Sequence, residues 1–252
     1  MPKALVINPN TSPQMTDEIR TTAQRVFQSP WSVDVVMAPG GPESLESWTD
    51  YALASVSVLP LVADLQADGV VLACFGDPGL FVLKESVLAP VVGIAEASMS
   101  LALLLGDRFG ILAGMDRAVA LMDSMVRTYG LVERYAGTQS LNMRVLEFEK
   151  DREHTLDVLA SAAEALRGRG AEVLLLGCAG LTGFMEALQE RVGMTVIDPV
   201  AAGCLQLQAV AAAGLQTSSA GLYSRPAPQR MNRMEALYSS LLQQAIGKLP
   251  RS

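Results

Sequence analysis

Two short stretches, "VVLACFGDPGL" at residues 70–80 and "LLLGCAGL" at 174–181, decide the fold. Each is a Val- and Leu-rich run that ends beside a lone cysteine and passes into small residues. A brief, continuous apolar run between turn signals reads as a strand buried on both faces, and such strands belong to parallel sheets. Working outward, Val70–Cys74 and Val173–Leu176 are joined by similar runs at Ala4–Ile7, Val33–Met37, Val91–Ile94, Phe109–Leu112 and Thr195–Ile197. Helical periodicity fills most of the intervals. Met15, Ile19, Ala23, Val26 and Phe27 recur at three- and four-residue spacing, with Ser12 as N-cap and Pro13 at the first helical position. The expectation is an α/β chain with mostly parallel strands.

The chain also repeats itself. "ALVINPNT" has a counterpart in "RFGILAGMD", "GVVLACFGDPGL" in "AEVLLLGCAGLTGF", and "APVVGIAEAS" in "GMTVIDPVAA". Cys74 and Cys178 lie 104 residues apart, as do Ile7 and Ile111, while Ile94 and Ile197 lie 103 apart. Matched strand ends at a nearly constant offset predict two pseudo-symmetric α/β lobes. Residues 1–98 and 214–252 are expected to form the first lobe and residues 99–213 the second. A Gly/Ser/Pro-rich loop at 214–229 precedes a predicted helix from Met231 to Lys248 that returns to the first lobe.

Composition narrows the function. The chain has 252 residues, half of them hydrophobic, and 26 acidic against 19 basic residues for a net charge of −7, with no basic cluster. That argues against nucleic acid or an anionic membrane as partner and favours a small molecule. No run approaches the roughly 18 apolar residues of a membrane span, and the N-terminal run is too short for a signal-peptide core. A cytoplasmic location is the expectation. Cys74, Cys178 and Cys204 are too few for a disulfide framework. With His154 as the single histidine and no CxxC or HxxxH spacing, no metal is expected.

In open α/β sheets, ligands bind beyond the carboxyl ends of the strands, where Cys74 and Cys178 both fall. A helix N-terminus after each would lower the thiol's proton affinity. If the lobes face each other, two thiols open onto one cleft, one able to take a proton from a carbon and the other to deliver one to its opposite face. Free cysteine also packs as a small hydrophobe. Cys204, in the Ala-rich run "PVAAGCLQLQAVAAAG", is expected to do so.

"INPNTS" near the N-terminus, "ACFGDPGL" around Cys74, "GIAEA" at 93–97 and "LGCAGL" around Cys178 together resemble the hydantoin and allantoin racemases of the Asp/Glu racemase superfamily. The resemblance runs from Val6 to about Ala202. It implies two α/β lobes with the active site between them, a homo-oligomer, and an isomerase that needs no cofactor. Cys74 and Cys178 match the two catalytic cysteines, which exchange the C5 proton of a 5-substituted hydantoin or allantoin-like ring. Phe75, Gly76, Ala179, Gly180 and the Asn8 side chain are the substrate-binding candidates it suggests, Asn8 ahead of Asn10. Where these racemases have a threonine pair after the second lobe's first strand, this chain has Ala113-Gly114, which predicts a wider and less polar cleft. The superfamily also holds maleate isomerases, with two cysteines, and arylmalonate decarboxylases, with a single catalytic one. A non-catalytic small-molecule binder is a further alternative. Asp198 and Asp77 read as helix caps, Glu96 as either a cap or a cleft residue, and His154 as part of a solvated helix face.

Overall fold

The computed structural model describes residues 1–63 and 65–225. The predicted helix over 231–248 lies outside the described residues. In the first half run β1 (Lys3–Asn8), α1 (Pro13–Val26), β2 (Ser32–Met37), α2 (Trp48–Ser57), β3 (Gly69–Leu72), α3 (Leu80–Ser86), β4 (Val91–Gly93) and α4 (Ile94–Leu105). In the second run β5 (Phe109–Ala113), α5 (Asp116–Thr128), β6 (Tyr135–Ser140), α6 (Arg152–Arg167), β7 (Val173–Leu176), α7 (Met185–Val192), β8 (Thr195–Ile197) and α8 (Pro199–Ala212). The strands form two four-stranded sheets, ordered β2-β1-β3-β4 and β6-β5-β7-β8, parallel throughout. The expected α/β fold of two similar lobes is therefore present.

All seven expected strands are found, together with β6, which the sequence analysis did not identify. Its residues, "YAGTQS", are polar and contain a glycine, and it pairs at the sheet edge with β5 alone. An edge strand carries no continuous apolar run, so the signal used for the buried strands is missing there. β3 and β7 show that signal fully: every residue of both is buried. Ser12 caps α1 by accepting a hydrogen bond from the Met15 N–H at 3.3 Å, and Pro13 stands at the first turn as expected.

The hydrogen-bond register refines the internal repeat. The N–H of Ala73 donates to the Ile7 carbonyl, and that of Gly177 donates to the Leu112 carbonyl. Ile7 therefore corresponds to Leu112, not to Ile111, and Asn8 to Ala113. Likewise Val92 pairs with Val71 as Ile197 pairs with Leu175, so Ile94 corresponds to Pro199 and not to Ile197. The spacing of 104 holds at the cysteines, whereas the flanking strands are displaced by a further residue. Side chains alternate faces along a strand, so a one-residue slip reassigns which of them can reach the cleft.

The helices after the fourth strands cross between lobes. α8 leaves the second sheet and packs on β3, β4 and α1 of the first, while α4 packs on β5, β7 and β8 of the second and on α8. Small residues permit this approach: a Cβ at Gly203 of α8 would stand 2.8 Å from Ile94 Cγ2 and 3.0 Å from Val71 Cγ1. Cys204, on the same helix, is fully buried, in keeping with a packing role. After α8 the chain returns to the first lobe, where the Thr217 hydroxyl donates to the Ala89 carbonyl and Tyr223 stacks on Phe81. No helix among the described residues is long and apolar enough to cross a membrane.

Candidate active site

A narrow, solvent-open cleft lies at the carboxyl ends of the strands, between the lobes. Cys74, two residues past β3, and Cys178, two residues past β7, both line it and are both partly buried. Their surroundings match. The Cys178 sulfur accepts the N–H of Gly180 at 3.4 Å, and the Gly76 N–H acts on Cys74 in the same way. Each thiol thus receives an amide from two residues ahead, a donor that favours its thiolate.

Burial opposes those donors and outweighs them. Desolvation pushes the Cys178 thiol up to about 12. It pushes Cys74 higher still, with the facing Cys178 and then Asp77 adding repulsion. The expected lowering by helix N-termini does not occur. α3 begins only at Leu80, and the turn after Cys178 is a single 3₁₀ segment, Ala179–Leu181, so neither sulfur sits on an α-helix terminus. A thiolate at Cys178 would further disfavour ionisation of Cys74, whose thiol it faces.

The candidate binding residues divide. Phe75, Gly114 and Ala179 line the cleft with the cysteines. Gly76 and Gly180 stand just behind, supplying the amides that face the sulfurs. Ala113 is fully buried within β5 and does not line the cleft. Asn8 is also fully buried and does not line it. Its side-chain amide donates to Asn10 Oδ1 at 2.7 Å and to the Thr16 hydroxyl at 2.9 Å. Asn10 is the cleft residue, reversing the order inferred from sequence. Its Oδ1 accepts from Asn8 and from the Ser12 N–H, while its Nδ2 donates to the Met15 sulfur at 3.1 Å. Asn8 and the Ser12 N–H thus hold the Asn10 side chain in place at the cleft wall.

Gly114, where a wider cleft was expected, sits in close packing. A Cβ at Gly114 would stand 3.1 Å from Phe148 Cζ and 3.2 Å from the Met143 carbonyl. That space is already filled, so the cleft is not widened there. The second lobe's wall is apolar, supplied by Met115, Ala118, Met122 and Val145.

Residues beyond the sequence reading complete the first lobe's wall. Ser44, Glu46 and Tyr51 approach from the segment leading into α2 and from α2 itself. The Tyr51 hydroxyl is pushed well up, first by burial, then by Cys74 and Cys178, so the phenol stays protonated beside both sulfurs. Gly76 makes room for it: a Cβ there would lie 2.1 Å from Tyr51 Oη. No local motif marks Tyr51 in the sequence.

The acidic candidates lie outside the cleft. Glu96 pairs with Lys84 at 2.7 Å and accepts the Gly93 N–H at 3.2 Å. Asp198 caps α8, accepting the N–H groups of Val200 and Ala201 at 2.9 and 3.1 Å. Asp77 also caps a helix, but α4 and not the adjacent α3: it accepts the N–H groups of Ala95 and Glu96 at 3.1 and 2.9 Å. Burial pushes its carboxyl up to about 7, against the pull of the Tyr129 hydroxyl, while Glu96 adds repulsion and the two amides oppose it. His154 is exposed on α6.

Comparison with known proteins agrees with this architecture. The sequence model of the Asp/Glu/Hydantoin racemase family matches residues 5–207. The chain is 36% identical over 229 residues to a hydantoin racemase of Paenarthrobacter aurescens, covering 89% of this chain and 97% of that one. It is also 36% identical over 228 residues to a hydantoin racemase of a Pseudomonas strain, covering 89% and 92%. An allantoin racemase structure from Klebsiella pneumoniae superposes with a TM-score of 0.86 at 32% identity, covering 90% of this chain and 94% of that one. With two parallel α/β lobes around a shared cleft, and a family match across most of its length, the chain belongs to the Asp/Glu/Hydantoin racemase family and is an isomerase.

Proposed function

We propose that the chain is a cofactor-independent racemase of 5-substituted hydantoins, with Cys74 and Cys178 exchanging the roles of base and acid. The observation that carries the reading is the pair of equivalent strand ends, each with a thiol on the same cleft and an amide donor at its sulfur. One thiolate removes the C5 proton, and the electron pair left on carbon moves onto the adjacent ring carbonyl oxygen. The opposite thiol then protonates the other face and becomes the thiolate. Reactant and product states each carry one thiol and one thiolate, so turnover in either direction leaves the enzyme ready for the reverse. The Tyr51 hydroxyl and the Asn10 amide, on the cleft wall with Ser44, are the donors assigned to the developing oxyanion, since the Ser44 hydroxyl is given to Glu46.

The lining also bears on the substrate. Glu46 is the one charged side chain among the described residues of the cleft wall. A dicarboxylate would enter beside it with no cation to pair with, which disfavours maleate- or arylmalonate-type chemistry. A neutral ring fits the Asn10, Ser44 and Tyr51 side of the first lobe, while Met115, Ala118, Met122 and Val145 favour an apolar C5 substituent over the ureido group of allantoin. In the same reading the chain assembles with copies of itself, which light scattering tests directly.

The deciding experiment is polarimetry on single enantiomers of 5-benzyl- and 5-isobutylhydantoin and of allantoin, in H2O and D2O. Racemisation with deuterium entering C5, faster for the apolar substituents, is the expected result. Inactivity on all of them, or a covalent thioether adduct by mass spectrometry, would remove the proton-transfer reading.

A further inference from the structure

The two helices that follow the fourth strands are capped by carboxylates in equivalent places that come from different parts of the chain. Gly93 and Asp198 are the corresponding N-caps of α4 and α8. In the second lobe the N-cap itself carries the carboxylate. Asp198 Oδ1 takes the two helix amides, while Oδ2 accepts the Thr182 hydroxyl at 2.7 Å and the Gly183 N–H at 2.9 Å from the loop after Cys178. In the first lobe the N-cap has no side chain, and Asp77, three residues beyond Cys74, occupies the vacancy. A Cβ on Gly93 would stand 2.4 Å from Asp77 Cγ. The amides Asp77 accepts, Ala95 and Glu96, correspond to those of Val200 and Ala201.

Both assemblies also reach the opposite lobe. Thr182, its proton given to Asp198, accepts from the Thr22 hydroxyl of α1 at 2.8 Å. Asp77 Oδ2 accepts the hydroxyl of Tyr129, at the end of α5, at 2.6 Å. Asp77 stands in the left-handed region at φ 44, which Asp tolerates better than most residues, and its N–H donates to the Cys74 carbonyl at 3.0 Å. The Cys74 loop is therefore pinned by one side chain at the α4 terminus and at the second lobe together.

We propose that Asp77 is a positioning residue for Cys74, distinct from its service as a helix cap: it holds the Cys74 loop against α4 and, through Tyr129, in register with the facing lobe. Capping and positioning separate by experiment, because the second lobe demonstrates a cap that does not reside on the cysteine loop. Asp77→Asn weakens both functions. Asp77→Gly combined with Gly93→Asp returns the carboxylate to the N-cap while releasing the loop; Gly93 has φ −84 and ψ 142, which accept a side chain.

The proposal builds on the two-thiol reading, so two readouts are taken: racemisation kinetics, and substrate-free alkylation of Cys74 relative to Cys178 by peptide mapping. In the double variant the melting temperature recovers to near wild type. Its kcat stays down by about tenfold or more with KM little changed, as expected for a displaced proton-transfer group. The Cys74:Cys178 alkylation ratio shifts by about threefold or more in Asp77→Asn, in the double variant and, to a lesser degree, in Tyr129→Phe. Recovery of kcat together with stability in the double variant would reduce Asp77 to a cap and overturn the proposal. An unchanged alkylation ratio in Tyr129→Phe and in whichever Asp77 variant folds would overturn it as well. A wild-type chain that racemises nothing would sink the reading of function and leave the alkylation test standing.

Discussion

The two lobes present similar sulfurs to the cleft, but only the first lobe's wall carries polar side chains besides them. Asn10 in the first lobe corresponds by strand register to Met115 in the second, and both line the cleft. On one side Asn10, Ser44, Glu46 and Tyr51 stand among the apolar Met15, Leu45 and Phe75; on the other, Met115, Ala118, Met122 and Val145 bring no polar side chain. Exchanging a proton between two faces of one carbon calls for matched acid–base groups. Holding a ring with a polar edge and an apolar substituent calls for unmatched walls. On the proposed reading, the repeat keeps its symmetry at the sulfurs and departs from it where the ring would be held.

The strongest way to test the matched half is to remove one sulfur at a time. Cys74→Ala and Cys178→Ala should each lower racemisation by about 10³-fold or more, within or beyond the usual range for an acid–base group. Each variant should still exchange the C5 proton of one enantiomer with D2O, and the two should choose opposite enantiomers. Loss of exchange on the same enantiomer in both variants would break the symmetry.

The thiols' resting state offers a second comparison. With burial holding Cys178 near 12 and Cys74 higher, both should react with iodoacetamide at pH 7.5 at least about 100-fold more slowly than an exposed thiol of pKa near 8.5. Alkylation of either at peptide-like rates would show that the amide donors prevail over desolvation.

The unmatched half is probed by exchanging its character. Asn10→Leu should lower kcat/KM about tenfold or more for every substrate, since it removes a donor to the oxyanion. Met115→Gln should instead cost about tenfold for apolar 5-substituents and little for allantoin. Equal losses across substrates in both variants would mean that the walls do not divide the work.

The two carboxylate caps give the smallest effects, read as stability. Asp198→Ala should cost about 1–2 kcal/mol as a lost N-cap. Asp77 adds a pH dependence, because its folded pKa of about 7 lies above its ordinary value of 3.8. The folded state holds a proton there that the unfolded state has released. Its contribution is full below pH 4 and is lost as pH rises to about 7. Urea unfolding from pH 4 to 8 should show wild type losing stability relative to Asp77→Asn over that window and running parallel above it. A pH-independent difference would place the carboxyl in the ordinary range.

Much of this was legible in the residues. The buried strands announce themselves because both faces of a parallel sheet need apolar side chains, and each cysteine follows from its place just beyond such a run. The repeat was visible too, though matching isoleucines misjudged its register, because only backbone hydrogen bonds decide which residues pair. β6 went unseen because an edge strand needs no apolar run. The turn "NPN" does not disclose which of Asn8 and Asn10 lines the cleft; backbone geometry decides it.

The amino-acid sequence by itself determined the parallel α/β lobes, their duplication and the positions of both thiols. These follow from short-range patterns of burial and chain reversal. The tertiary structure alone decided the thiols' protonation, the polar and apolar walls, the crossing of α4 and α8, and the carboxylate that Asp77 lends to Gly93. Each of these depends on groups brought together from distant parts of the chain, where desolvation and close contact act without leaving a local mark.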